Sequence, residues 1–275
     1  MKQLKKSLVR ECKEAKDSNL EVVLTIRNNN KKNQASGPPQ DWGKYQETVR
    51  EIIKKCRPAV ISVEYKETSD LYYKGSAGDY LNQLEAAAKA AHKEGAKVTN
   101  GGLEGDLMVL LLYNHYLENG RKDEAEIFIQ RAFDKVKMHM FEIPGYKKTL
   151  KRLLKTAKDF LDIYSKAPID YINLHWAIDD DFALEKVVDF LEKRTGLEVI
   201  STEMRQPQDS EKAKKLMKKT TKLKMPCVVW FFGIEGPDIS MIEDKEGGLK
   251  TLSKKFKNFI RFRFLNIPRV RNQKG

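Results

Sequence analysis

Two glutamates, Glu67 and Glu203, stand where a sheet-based protein can perform chemistry. Each ends a run that is predicted to form or follow a strand, Val63 to Glu67 and Ile200 to Glu203. Two carboxyl groups at the ends of different strands can cleave a glycoside: one protonates the leaving oxygen while the other attacks or stabilises the anomeric carbon. The alternative is that both belong to the 39 acidic residues of the chain and merely end strands at a solvated rim.

The elements that must position these glutamates alternate along the chain. β-Branched and apolar runs predict six strands, at 21–26, 59–63, 96–99, 169–175, 197–201 and 227–232. Helical periods fill 1–20, 41–55, 77–94, 105–166, 181–195, 212–224 and 249–259, with breaks at Asn119-Gly120 and Pro144-Gly145 and an N-cap at Asp41. Such alternation predicts a parallel sheet with right-handed crossovers.

Two α/β architectures fit this alternation, a doubly wound sheet and a barrel. No predicted strand is followed by the G-x-G-x-x-G turn that a doubly wound dinucleotide-binding fold uses. Polar residues instead follow the ends of many strands: Asn28, Glu67, Asn100, His175, Glu203 and Glu235. In a barrel the loops after the strands build the site, so the sequence favours a (β/α)8 TIM-barrel-type fold, incomplete at six units.

The net charge of +13 raises the question of nucleic-acid binding. The densest basic patch lies in the predicted helix from Lys212 to Lys224. Its apolar residues form a partial buried stripe, namely Ala213, Leu216, Met217 and Leu223. No helix-turn-helix, zinc-finger or aromatic RNA-binding signature accompanies the lysines. We therefore expect a solvated lysine face without a specific nucleic-acid partner, and a basic nucleic-acid binder is the weaker alternative.

The remaining composition indicates a soluble, cytoplasmic protein with a substantial core. A chain of 275 residues that is 40% hydrophobic fits one large barrel or two small domains. Its longest apolar run, Met108 to Tyr113, is far below the ~20 residues that cross a bilayer. Cys12, Cys56 and Cys227 have no spacing suited to zinc or redox chemistry, and the helix histidines share no ligand spacing. The sequence predicts reduced thiols, no membrane contact and no metal.

In their order and spacing the strand-end residues resemble the retaining glycosidases of the large (β/α)8-barrel clan, which includes cellulase-like, β-xylosidase-like and mannanase-like enzymes. The likeness runs from about Glu21 to Gly236. The clan's fourth strand ends in E-x-x-N-E, and its seventh ends in T-E. The similar segments are Glu64 to Glu67 for the fourth strand, Lys97 to Gly102 for the fifth, His175-Trp176 for the sixth, Thr202-Glu203 for the seventh and Trp230 for the eighth.

The resemblance implies hydrolysis of β-linked glycosides or oligosaccharides with retention and without a cofactor. Glu67 would protonate the departing oxygen, Glu203 would form the glycosyl-enzyme bond, and Glu67 would then deprotonate water. Further substrate contacts are implied for seven side chains: Lys66, Asn28, Asn100, His175, Trp176, Trp230 and Tyr73. Packing is the alternative role for Trp230, and a hydrogen-bonded strand end is the alternative for His175.

Two departures from the clan bear on activity. The asparagine that precedes the acid/base is Lys66 here, and an ammonium beside Glu67 would favour its ionised form. Aligned in this way, Glu21 to Ile26 resembles the third strand, so the first two strands are absent. We expect a barrel over residues 1–259 and a C-terminal strand or tail over 260–275. A catalytically impaired barrel that binds carbohydrate or protein is the alternative function.

Overall fold

The computed structural model describes residues 6–28, 34–205, 207 and 209–231. The strands of this part of the chain are β1 Val23–Ile26, β2 Val60–Val63, β3 Lys97–Asn100, β4 Leu103–Glu104, β5 Tyr171–His175, β6 Glu198–Arg205 and β7 Val228–Phe231. The helices are α1 Lys6–Asp17, α2 Trp42–Cys56, α3 Ala77–His92, α4 Gly105–Glu118, α5 Lys122–Ala132, α6 Lys135–Glu142, α7 Pro144–Tyr164, α8 Asp181–Thr195 and α9 Ser210–Lys222.

The sheet is parallel throughout, and its long strands are neighbours in chain order. Their order is β1-β2-β3-β5-β6-β7, while the two-residue strand β4 pairs with β5. A doubly wound sheet reverses its strand order at a switch point, whereas successive strands of a barrel lie side by side. The fold is therefore α/β and barrel-type with six units, and the fold-class prediction is confirmed. Among the strands of the described residues, β1 and β7 lie at the edges of the sheet.

The core lies between the sheet and a layer of helices. All four residues of β2 are buried, as expected for a parallel strand covered on both faces. Helix α2 begins where Asp41 accepts a hydrogen bond from the Lys44 amide, which confirms the predicted cap. The alanine-rich α3 buries Leu84 and five alanines against the sheet, since small side chains allow close approach. The predicted sequence periods thus correspond to real buried faces.

The lysine-rich helix α9 has the predicted amphipathic character. Ala213, Leu216 and Met217 are buried, and Leu223 packs on the core just after the helix. One lysine departs from the expected solvated face: Lys219 is mostly buried and pairs with Asp181 at 3.7 Å and with Glu185 of α8. The basic helix is therefore partly fixed to its neighbour by ion pairs.

Three differences from the sequence prediction concern element boundaries. The helical region 105–166 has a further break at Phe133, where the backbone is extended and Asp134 caps α6. Strand β6 continues to Arg205, so Thr202 and Glu203 lie inside the strand rather than after it. The short strand β4 was not predicted.

Several predictions fall on residues outside the described part of the chain. They are the last helix at 249–259, the element at 260–275 and the polar position Glu235, so the division into two segments stays a prediction. Within the described ranges no helix is long and apolar enough to span a membrane. In the same ranges no group of three or more His, Cys, Asp or Glu side chains is arranged to hold a metal ion. The three cysteines are free thiols.

Candidate active site

A cavity of about 470 Å³ lies at the carboxyl ends of the central strands. Its polar lining comes from the loop after β2 and from β4 to β6, and comprises Tyr65, Lys66, Glu104, Asp106, His175, Trp176, Glu203 and Arg205. Its apolar lining comes from α4, α6 and α7, and comprises Leu107, Leu110, Phe141, Tyr146, Leu150 and Leu153. The volume is within the range of ~300–1,000 Å³ that is typical of small-molecule sites. This cavity is the candidate active site.

A second, larger cavity of about 860 Å³ lies beside the end of β1 and the start of α2. Its described lining contains one carboxyl group, that of Asp41, which is already used to cap α2. Size alone therefore does not identify the reactive site. The smaller cavity is lined by more carboxyl and imidazole groups that could take part in a reaction.

Glu203 reaches the cavity because strand β6 is irregular. Asn173 of β5 is opposite Ile200, whereas Trp176 is opposite Met204, so β6 has one residue more than its neighbour in this span. The register with β7 shifts in the same place, between Ser201 and Met204. Such bulges re-aim side chains and are common beside active sites. Here Thr202 and Glu203 are both half-buried, after three consecutive buried residues of the same strand.

Within the described residues, the contacts that hold the Glu203 carboxyl are all made to Oε2. Tyr65 donates its hydroxyl to Oε2 at 3.3 Å, and His175 Nδ1 approaches the same oxygen to 3.3 Å without hydrogen-bond alignment. Burial raises the pKa of Glu203 above that of an ordinary glutamate, although the Lys66 charge and the Tyr65 hydrogen bond oppose the rise. The arrangement fixes the carboxyl while its side chain stays 29% exposed to the cavity.

His175 is a neutral imidazole whose tautomer follows from its partners. The Asn173 oxygen accepts the Thr202 amide at 2.9 Å, so the Asn173 Nδ2 group donates to the Thr202 hydroxyl at 2.7 Å and lies 3.3 Å from His175 Nε2. The Thr202 hydroxyl lies 3.1 Å from Nε2. Because Nε2 faces donors, this pattern assigns the ring proton to Nδ1, towards Glu203. Burial, reinforced by the Lys66 charge, lowers the His175 pKa to about 3.

The His175 ring fits only because residue 102 is a glycine. A Cβ built on Gly102 would overlap the imidazole, and the backbone there has φ +116°, a conformation that L side chains rarely adopt. The glycine pair Gly101-Gly102 thus makes room for the site. We expect any larger residue at position 102 to displace His175.

Lys66 lines the cavity, but its ammonium pairs with Glu104 and not with Glu67, the neighbour that the sequence suggested. Its backbone is left-handed, with φ +46°, and its ammonium forms an ion pair with Glu104 at 3.0 Å. Burial alone would lower the pKa of Lys66, but the Glu104 carboxylate outweighs this effect and the pKa is raised. The ammonium also lies 5.6 Å from the Tyr65 ring centre. Lys66 therefore pairs with Glu104, and its charge still reaches Glu203 and His175.

Glu67, the predicted acid/base, lies beneath the cavity. It is 1% exposed and is not among the residues that line the cavity. Its Oε1 accepts hydrogen bonds from the Tyr164 hydroxyl and from Asn100 Nδ2, the latter at 2.9 Å, while Oε2 has no partner in the described residues. Burial raises the pKa of Glu67, against the effect of these hydrogen bonds. Its role as proton donor stays a prediction that this placement does not favour.

Glu67 is nevertheless linked to Glu203 through buried amides. The Asn100 oxygen accepts the Asn173 amide at 2.7 Å, and Asn173 in turn contacts Thr202 and His175. The predicted contact residues Asn100 and His175 thus belong to one polar network beside the cavity. Only His175 of these two lines it.

The other predicted contact residues divide between the cavity and elsewhere. Lys66 and Trp176 line it; Trp176 is 1% exposed, and its indole Nε1 has no hydrogen-bond partner in the described residues. Asn28 lines the larger cavity and donates to the Gly37 carbonyl. Tyr73 is buried against Gln83, and Trp230 packs on the core from the edge strand β7. None of the last three lines the cavity.

Sequence reasoning missed four polar residues of the site, Tyr65, Glu104, Asp106 and Arg205. Glu104 lies two residues after the Gly101-Gly102 turn, so an acidic residue just past a predicted strand was the available signal. Tyr65 precedes Lys66 in the loop after β2. Arg205 becomes visible only once β6 is known to run past Glu203.

The solved structures that are similar to this protein include one described as the crystal structure of a GH128 (subgroup VI) exo-beta-1,3-glucanase from Aureobasidium namibiae. The chains are 12% identical, and the likeness covers 90% of this chain and 91% of that chain with a TM-score of 0.47. No protein-family model and no curated protein matches the sequence. A likeness of this degree carries no argument about activity, which has to rest on the site itself.

Proposed function

We propose that this protein cleaves β-linked glycosides with retention and that Glu203 is the nucleophile. The observation that carries the proposal is the Glu203 carboxyl on the wall of the cavity, with Oε2 restrained by Tyr65 and flanked by His175. A restrained carboxylate beside a cavity of this volume is suited to attack at an anomeric carbon. The neutral His175 adds no positive charge that would weaken the nucleophile.

The proposed reaction has two steps. In the first, Glu203 forms a bond to the anomeric carbon, and the bond from that carbon to the leaving oxygen breaks with its electron pair on the oxygen. In the second, water attacks the same carbon, loses a proton and releases the Glu203 carboxylate. Two inversions at one carbon give net retention.

This site is poorly equipped to donate a proton to the leaving oxygen. Glu67 is buried away from the cavity, and Glu104, the other glutamate on its wall, is engaged by Lys66. A carboxylate in an ion pair has no proton to give, although it can accept one from water in the second step. We therefore propose that turnover depends strongly on the quality of the leaving group.

The test uses 2,4-dinitrophenyl β-glycosides of common hexoses and pentoses, since their leaving group departs without protonation. We expect hydrolysis by the wild type and its loss in Glu203→Gln, which folds around the same cavity but cannot form the bond. Because the Glu203 pKa is raised, kcat/KM should fall with acid at a pH above the ~4.3 of an ordinary glutamate. Wild-type turnover that Glu203→Gln retains would overturn the assignment.

A second candidate function is carbohydrate binding without catalysis. The Lys66–Glu104 ion pair favours it, because it engages as a carboxylate the glutamate on the cavity wall that a glycosidase would need as a carboxylic acid. In that case the wild type and Glu203→Gln would bind the same glycosides in calorimetry, and neither would release dinitrophenolate. Release by the wild type alone decides in favour of the enzyme.

A further inference from the structure

The candidate cavity has two chemically different ends. Most of the polar groups come from the strand ends around Glu203, whereas the helices α4, α6 and α7 contribute six apolar or aromatic side chains. We take these two sets as the polar and the apolar end of the cavity. Leu107 and Leu110 are buried floor residues of α4, and Leu150 and Leu153 form one face of α7 at helical spacing. A ligand that fills this cavity must therefore be polar at one end and apolar at the other.

The apolar end also presents aromatic rings. Phe141 of α6 and Tyr146 of α7 lie with their ring centres 5.7 Å apart and tilted by 36°. Aromatic rings make favourable offset-stacked or edge-to-face contacts with one another. A ring supplied by a ligand can therefore pack against this pair. Two ion pairs fix this wall: Lys137 with Asp106 at 2.6 Å ties α6 to the start of α4, and Arg152 with Asp70 ties α7 to the loop after β2.

A second sugar ring is poorly suited to this end of the cavity. Every sugar hydroxyl that leaves water needs a hydrogen-bond partner, and an unpaired one costs about 1–3 kcal/mol in proteins. Of the six apolar or aromatic side chains here, only Tyr146 carries a polar atom, and the carboxyl of the neighbouring Asp106 is already engaged by Lys137. An apolar aglycone has no such requirement and gains from contact with the leucines.

Leaving-group chemistry narrows the aglycone further. Because Lys66 engages Glu104 and Glu67 lies beneath the cavity, neither glutamate protonates the departing oxygen, which must then carry its negative charge. A phenol does so far more readily than an alcohol, with a pKa of ~10 for the tyrosine phenol and 15.7 for water. An aromatic aglycone therefore packs well against the apolar wall. Its phenolate can also depart without a proton from Glu104, which is engaged by Lys66.

Building on the proposed function, we infer that the substrates are aryl β-glycosides, with the sugar at the Glu203 end and the aromatic aglycone against Phe141, Tyr146 and Leu153. The phenolic oxygen leaves with the electron pair of the broken glycosidic bond and takes its proton from solvent water. A second water then cleaves the bond to Glu203.

The experiment measures binding and turnover separately. Binding of phenyl, methyl and oligosaccharide β-glycosides of one sugar to Glu203→Gln is measured by calorimetry, and hydrolysis of the same compounds by the wild type is followed by chromatography. We expect the phenyl glycoside to bind at least tenfold more tightly than the methyl glycoside. Leu153→Asn should abolish this difference, whereas Leu154→Asn should retain it. Leu154 is the adjacent, equally half-buried residue of α7 but lines a different groove, so it is a matched control.

The outcomes separate the substrate class from the catalytic proposal. A phenyl preference that Leu153→Asn removes supports the inference even when no compound is hydrolysed, a result that would refute the glycosidase proposal alone. Oligosaccharide binding as tight as phenyl binding overturns the inference, and so does an equal loss in Leu153→Asn and Leu154→Asn. Thermal unfolding of both variants verifies that they are folded.

Discussion

Replacing Lys66 by asparagine removes the ammonium that engages Glu104 in the cavity. Asparagine is also one of the few residues that tolerate the left-handed backbone found at this position, with φ +46°. Loss of a partly exposed ion pair costs ~0–1 kcal/mol of stability, and the better backbone fit offsets part of that cost. We therefore expect Lys66→Asn to fold normally, and its effect to be on catalysis.

The magnitude follows from the 3.0 Å separation of Lys66 Nζ and Glu104 Oε1. At that distance the Coulomb energy is about 1.4 kcal/mol in the dielectric of water and about 5.5 kcal/mol at an effective dielectric constant of 20. The side chains are 22% and 39% exposed, so solvent screening favours the lower figure. An attraction of this size opposes proton transfer from Glu104 by a factor of about ten in rate.

The assay compares a good and a poor leaving group in the wild type, Lys66→Asn and Lys66→Arg. With phenyl β-glycosides, kcat/KM should rise roughly tenfold in Lys66→Asn, because Glu104 is free to donate a proton. With 2,4-dinitrophenyl glycosides it should change little, since that leaving group needs no proton. Lys66→Arg keeps the positive charge and should show no gain. If the ratio of kcat/KM for the two substrates is the same in all three proteins, Lys66 does not limit proton donation by Glu104.

Three further predictions concern titration and charge. The pKa of Glu67 is raised in the folded state, so its protonated form stabilises the fold. This stabilisation is fully present below pH ~4.3, the pKa of an unfolded-state glutamate. It is lost at about 1.4 kcal/mol per pH unit as the pH rises towards the folded-state pKa. In urea unfolding at several pH values, Glu67→Gln should lack this decline, and parallel curves for the two proteins would disprove it. His175 should stay neutral between pH 5 and 8, so its ring signals in NMR should not titrate in that range; a midpoint near 6.5 would contradict its burial. Nucleic-acid binding through the α9 lysines should be weak, non-specific and lost as salt rises through the physiological range, whereas sequence-selective binding at high salt would contradict a solvated face.

Local patterns were sufficient to predict the architecture. The β-branched runs that became β1, β2 and β5 and the helical periods of α2 and α8 are set by residues a few positions apart, so their order could be read directly. Buried parallel strands such as β2 are apolar on both faces, which makes them stand out from the helices. Strand order then followed from chain order.

The site was harder to predict from the sequence because it depends on contacts between segments that are distant along the chain. Glu104 reaches the cavity through β4, whose partner β5 lies about seventy residues further along the chain. The loop after β2 places Lys66 on the cavity and Glu67 beneath it, owing to left-handed backbone at Glu64 and Lys66 that no periodic pattern indicates. The extra residue in β6 likewise depends on its pairing with both neighbours. Residue types alone could nominate Glu203 but could not choose its partner.

The most direct test of the central claim is to trap the bond between Glu203 and a sugar. The wild type is incubated with a 2-deoxy-2-fluoro β-glycoside that carries a dinitrophenolate leaving group, which slows the second step more than departure of the leaving group. The site of the adduct is then read by mass spectrometry of proteolytic peptides. We expect a mass increase of one fluorosugar on the peptide that contains Glu203, and none in Glu203→Gln. An adduct on another carboxylate, or no adduct while the same glycosides are hydrolysed, would contradict it.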